Sequence, residues 1–157
     1  MTSSMNRTSG IKSGRGFSLI EVLIALIILS VGMLGIAGLY VQSMQAGRTS
    51  MFRHNAVTIA GDIADRIRAN PAAGTAYTAA VGADKSCVNG GVNCSPADMA
   101  AHDIKLWQEQ ADDSLPNGKV TVTHDGDLVL PSYEIKVGWD EPGESPTFTI
   151  VIPVLDI

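Results

Sequence analysis

Phe17 to Val41 reads FSLIEVLIALIILSVGMLGIAGLYV, and this stretch decides the architecture of the chain. Its only Asp, Glu, Lys, Arg or His is Glu21. A helix of this length, at about 1.5 Å per residue, covers roughly 38 Å. The hydrocarbon core of a bilayer is about 30 Å thick, so the run is long enough to span it. A carboxylate at the centre of such a segment costs about 2.5–3.5 kcal/mol on insertion scales and marks function by default.

Residues 1–16 lie ahead of the apolar run. They carry Arg7, Lys12 and Arg15, no acid, and many Ser, Thr and Gly, and read as a targeting leader. An ordinary secretory signal is cut after its apolar region. Here the small residue, Gly16, comes before it, so cleavage there leaves the apolar helix on the mature chain. An uncleaved signal anchor shares the basic-then-apolar order. It does not require Phe17 next to Gly16, or a Glu five residues after the Gly. Lys12 and Arg15 flank one end of the run closely, whereas Arg48 and Arg53 lie further from the other. That bias favours an N-terminus in the cytoplasm.

Beyond Val41 the sequence becomes one-sided. In residues 42–70, Ala56, Ala60, Ile63 and Ile67 recur at helical spacing, and Val57 and Ala64 widen the face. Asp62–Arg66 and Asp65–Arg68 are spaced for side-chain pairs with the acid first. Pro71 disfavours helix at Asn70. One helix from Phe17 to about Ala69 is therefore expected, roughly 80 Å long. Gly32, Gly35 and Gly38 lie inside it. Each lowers helix stability by about 1 kcal/mol relative to Ala, and each also lets another helix approach.

Residues 71–97 are rich in Ala, Gly, Asn and Ser and read as loop. They contain the chain's two cysteines, Cys87 and Cys94, separated by VNGGVN with Gly90 and Gly91 at its centre. The gap excludes a CxxC redox site, and no His lies at zinc-ligand spacing. In an exported domain the pair reads as a local disulfide, contributing about 2–3 kcal/mol by loop closure. A second helix is expected from Ser95-Pro96-Ala97-Asp98 to about Asp112, with Met99, Ile104, Trp107 and Ala111 as its apolar face. The period then changes to two. Val120 and Val122, then Tyr133, Ile135, Val137 and Trp139, then Phe148, Ile150 and Ile152 each alternate with neighbours on the other face. Turns are expected at Pro116-Asn117-Gly118, Asp125-Gly126 and Glu141-Pro142-Gly143. This is an antiparallel meander with one apolar face directed at the one-sided half of the long helix.

The blocks GFSLIEVLIALIILSVGMLGIAGL (Gly16 to Leu39) and DIADRIRANP (Asp62 to Pro71), with VGWDE (Val137 to Glu141), resemble type IV pilus minor pilins. Within that group the chain is most similar to the type IV pilus modification protein (PilV-like) family. The first block is specific to pilins and pseudopilins as a class. The other two point to the subfamily. The resemblance is strong over about residues 14–71 and general beyond. It implies an α+β, pilin-like fold with a long N-terminal helix packed on an antiparallel sheet of about three or four strands. It divides the chain into a prepilin-type leader (1–16), a membrane and filament-core helix (17–41), its amphipathic half (42–70) and a periplasmic head (71–157). It implies that prepilin peptidase cuts after Gly16 and that Phe17 becomes N-methylated. Glu21 then neutralises the Phe17 amine of an adjacent subunit. The implied partners are other minor pilins, the major pilin, the peptidase and the inner-membrane assembly platform. The implied location is the inner membrane, crossed once, and then the pilus. Many major pilins have a Pro where this chain has Gly38, so the resemblance also implies a soft segment made by glycines.

No catalytic pattern or cofactor site is recognisable. His54, His102 and His124 are isolated from one another and read as surface or interface residues. Asp125 and Asp127 form D-x-D, which fits a turn better than a calcium site. Trp107 and Trp139 read as core. Without the leader, eight Lys and Arg remain against 16 Asp and Glu, a balance unsuited to nucleic acid. Two other functions share parts of this signature: a type II secretion pseudopilin and an adhesive subunit at a pilus tip. Processing is directly testable. Mass spectrometry of the protein from its native host should give N-methyl-phenylalanine, Phe17, as the first residue. An intact leader in peptidase-competent cells overturns the assignment of Gly16.

Overall fold

The computed structural model describes residues 16–88, 92–126 and 131–154. Most of the leader, Gly90 and Gly91 of the cysteine spacer, and Asp127 lie outside the described residues. The elements in order are α1 (Leu19–Ala69), a 3₁₀ helix (Pro71–Thr78), α2 (Pro96–Ser114), β1 (Lys119–Asp125), β2 (Ser132–Gly138) and β3 (Thr147–Pro153). The chain divides between Met44 and Gln45 into two units.

In the first unit, α1 is exposed on every side. Phe17, Leu19, Ile20, Leu23, Ile27, Leu34 and Met44 all present most of their surface. Gly32, Gly35 and Gly38 are helical, and a Cβ added at any of them meets nothing within 4 Å. Their small size therefore serves no contact among the described residues. Ser30 satisfies its hydroxyl by donating to the Ile27 carbonyl at 2.8 Å, so the apolar run carries no unpaired polar side chain there.

In the second unit the sheet is antiparallel in the order β1-β2-β3. The register aligns Val120, Val137 and Phe148 across the strands, then Val122, Ile135 and Ile150. These rows are the apolar face expected from the alternation. They join one core with Ala56, Ile59, Ala60, Ile63, Ala64 and Ile67 of α1, Tyr77, and Ala100, Ile104, Trp107 and Ala111 of α2. Trp139 is buried as well.

Three local readings change. Val57 is exposed and stands off the buried stripe of α1. On α2 the stripe runs through Ala100, Ile104, Trp107 and Ala111, and Met99 is only half-buried. Spacings of four, three and four keep those residues on one side, whereas Met99 lies about 100° away. Residues 71–78, expected as loop, form the 3₁₀ helix. Pro71 supplies a preset φ at its start, where a backbone N–H has no helical partner to lose. Burial of Tyr77 then holds the segment against the core.

The α2–β1 turn depends on Gly118, because a Cβ there would lie 2.0 Å from the Ala111 carbonyl oxygen. Asn117 takes the left-handed conformation beside it, with φ of 50°. A fragment beginning at Gln45 retains every buried residue of the core and should be soluble and cooperatively folded by circular dichroism. Starting instead at Pro71 removes Ile59, Ile63 and Ile67 and exposes Tyr133, Ile135 and Val137, so that fragment should aggregate. A soluble, cooperative Pro71 fragment contradicts the role of α1 in the core.

Candidate functional site

Gly16, Phe17 and Ser18 precede α1 and are exposed. The Ser18 carbonyl accepts the Glu21 and Val22 amides at 3.0 and 3.2 Å, closing the first turn. Glu21 is the acid of that turn. The first N–H groups of a helix carry partial positive charge and no intrahelical acceptor, so a carboxylate is favourable there. Phe17 and Glu21 are thus presented together at the exposed beginning of an apolar helix. Within the described residues no ion pair occupies Glu21. The 51-residue α1 holds a window of mean hydropathy 2.7 with no buried residue, and is long and apolar enough to cross a membrane.

The head is fixed by polar staples that draw on the two other sequence blocks. Asp62 and Arg66 pair at 3.0 Å, and Asp65 and Arg68 at 3.1 Å, as their spacing predicts. Arg66 also reaches Asp103 of α2 at 2.7 Å, and the Asp103 side chain is only 4% exposed. Tyr77 donates to the other Asp103 oxygen at 3.1 Å. Asn70 donates to the Tyr77 hydroxyl at 3.1 Å and to the Pro96 carbonyl at 2.9 Å. Burial works against the Arg66 charge, but the Asp103 hydrogen bond and the nearby Asp62 carboxylate hold its pKa above the ordinary value. Tyr77 is pushed up to about 12, first by burial and then by the adjacent Asp103 charge. Its ring stacks on Trp107 with centroids 5.6 Å apart.

VGWDE is a second set of staples. Val137 and Trp139 enter the core. The Asp140 amide donates to the Pro116 carbonyl at 2.9 Å. Its carboxylate accepts from Asn117 at 2.9 Å and Ser145 at 2.8 Å, and these bonds lower its pKa. Glu141 accepts from Thr49 of α1 at 2.6 Å and from the Trp139 ring N–H at 2.8 Å, and is lowered in the same way.

Cys87 and Cys94 are joined in a disulfide with Cα atoms 5.8 Å apart. The histidines divide. His54 is exposed, and His124 packs edge-on to Tyr133 with centroids 4.9 Å apart. His102 is buried, against its expected surface position. The sequence offered one signal for that burial. His102 lies between Ala100 and Ile104, close to the apolar stripe, and residues 80–86 fold over it. Asp103 carries no such signal, since a lone acid in a polar stretch gives no sign that Arg66 will meet it.

The acid–base balance of this network has a measurable consequence. Tyr77 holds its proton more tightly folded, at about 12, than the ordinary tyrosine value of about 10. Its contribution is complete below about pH 10 and is lost as pH rises toward 12, by up to roughly 1.4 kcal/mol per pH unit. Denaturant unfolding should show this loss in the wild type, and Tyr77→Phe should flatten it. Identical alkaline profiles for the two proteins refute the assignment.

Two family profiles match the chain. The one described as "Type IV pilin Tt1218" covers residues 38–105, and the one for the prokaryotic N-terminal methylation motif covers residues 11–37. The second match contains Gly16, Phe17 and Glu21. The first contains Asp62 to Pro71, both cysteines and Asp103. Together they support a type IV pilin, a structural family. No curated protein and no solved structure matches the chain.

Proposed function

We propose that this pilin-type chain is a minor pilin of the PilV-like kind that takes part in type IV pilus biogenesis, in the complex that primes assembly or forms the tip. The observation that carries the reading is the exposed start of α1. Glu21 lies in the first turn of α1 after Phe17 and is the only charged residue between Phe17 and Val41, a stretch that the described residues leave exposed throughout. Cleavage after Gly16 frees the Phe17 amine. In an apolar assembly of such helices, the Glu21 carboxylate of one subunit meets that amine on its neighbour. Either charge left unpaired is costly, so the pair selects one axial offset.

The basic leader supports insertion with the N-terminus in the cytoplasm. A disulfide in the head fits the oxidising periplasm. The protein is then stored in the inner membrane with residues 71–157 outside, and it leaves the bilayer to join other minor pilins, the major pilin and the assembly platform. The subfamily rests on DIADRIRANP and VGWDE, whose polar residues bind the head together.

Glu21→Ala should insert and be cleaved normally, because losing a carboxylate eases insertion. It should enter the priming complex poorly and reduce surface pili when it is the only copy. Full piliation by that variant removes Glu21 from the mechanism. A clean deletion scored for pili and for protein secretion separates pilus function from a type II secretion role. Normal pili with lost attachment point instead to an adhesive head.

A further inference from the structure

Residues 80–86 form a strap laid along α2. Gln108 donates from its amide to the Ala80 carbonyl at 2.9 Å and accepts the Gly82 amide at 3.4 Å. The Ala83 amide donates to the Ala101 carbonyl at 2.9 Å. The Lys85 amide donates to His102 Nδ1 at 3.3 Å, and the Lys85 ammonium pairs with Asp98 at 3.3 Å. The strap lies so close that a Cβ on Gly82 would be 2.1 Å from the Lys105 backbone nitrogen. It ends at Cys87, and the sulfurs of Cys87 and Cys94 lie 3.7 and 3.8 Å from the Lys85 carbonyl oxygen.

Two groups compete for one atom of His102. Nδ1 is 3.3 Å from the Lys85 amide and 3.4 Å from Asp84 Oδ1. The amide needs a lone pair on Nδ1, whereas the carboxylate needs a proton there. A neutral ring with its proton on Nε2 satisfies Lys85 only. The Asp84 oxygen meanwhile accepts the Ser86 amide at 2.8 Å and so supports Ser86 in a left-handed conformation, with φ of 52°. That backbone region is uncommon for a residue with a Cβ.

We propose that His102 is a proton-operated latch that exchanges the Lys85 amide for the Asp84 carboxylate and thereby resets the turn leading into the Cys87–Cys94 loop. On protonation both ring nitrogens become donors, so the Lys85 N–H loses its acceptor. Asp84 gains a charge-assisted bond and is drawn from the Ser86 amide. The other nearby charges are already paired: Asp98 with Lys85, Asp103 with Arg66, and Lys105 with Glu109. Asp84 is the acid in contact with the ring, and the Ser86 hydrogen bond holds its pKa below the usual carboxylate value, so it remains charged.

The test uses the full chain in detergent micelles with its disulfide intact, observed by nitrogen-15 NMR from about pH 8 to about pH 5. At the upper pH the His102 ring should carry its proton on Nε2. On acidification the Lys85 and Ser86 amides should shift in step with the ring. Lys85 exchange protection, corrected for intrinsic rates, should fall about tenfold or more, while Ala83 keeps its own. In His102→Gln the side-chain oxygen accepts from Lys85 at every pH, and the coupled transition should disappear. A proton on Nδ1 at pH 8, Lys85 and Ser86 signals that ignore the ring titration, or an unchanged transition in His102→Gln each overturns the latch. The tautomer measurement decides the matter if the variant does not fold.

Discussion

A buried carboxylate organises the head. Removing Asp103 from water costs several kcal/mol unless its oxygens are met by donors and an opposite charge. Arg66 of α1 meets one oxygen and Tyr77 of the 3₁₀ helix meets the other. Asn70 then links that hydroxyl to the first residue of α2. Hydrophobic packing alone tolerates sliding of one helix on another. This set does not, because any shift strands a charge. The network therefore fixes where α2 lies on α1, and the apolar stripes of the two helices meet in that register.

The sheet is tied to the same helix by a separate device. Glu141 takes a hydrogen bond from Thr49 and another from the indole of Trp139, so the end of β2 is held to α1 near the start of the head. Asp140 fastens the adjoining turn to Asn117 and Ser145. Asp140 is exposed and Glu141 half-buried, and their individual contributions are small. Their value is in direction, since each bond selects one placement of a turn that the apolar rows leave free. Two dispersed sequence blocks thus serve one purpose, the angle between a helix and the elements around it.

The two units answer to different solvents. The head buries its own apolar face and needs no partner to do so. Among the described residues the first unit does the reverse and leaves every large apolar side chain uncovered, together with three glycines where an added Cβ would meet no neighbour. Such a surface is satisfied by lipid or by other helices of the same kind. A single carboxylate placed in the first turn of that surface is tolerable in either setting only if something neutralises it.

Periodicity and composition alone determined the long helix, its change from all-round to one-sided hydrophobicity, the second helix, the meander and the disulfide. Each is a local pattern or, for the cysteines, a short loop, so neighbouring residues carry the information. The pairings Asp62–Arg66 and Asp65–Arg68 were legible for the same reason. What only the tertiary structure decided is which polar residues leave water. Asp103 looks like an ordinary member of a polar helix face, and the place of His102 beside the apolar stripe does not say what covers it. They become buried because Arg66 is 37 residues away in sequence yet in contact with Asp103, and because residues 80–86 fold back over His102. The 3₁₀ helix has no sequence signature either, since Pro71–Thr78 has no apolar period and is held by the burial of one residue, Tyr77. Contacts between distant segments leave no spacing for a sequence to display, so their energetic consequences appear only when the fold brings the partners together.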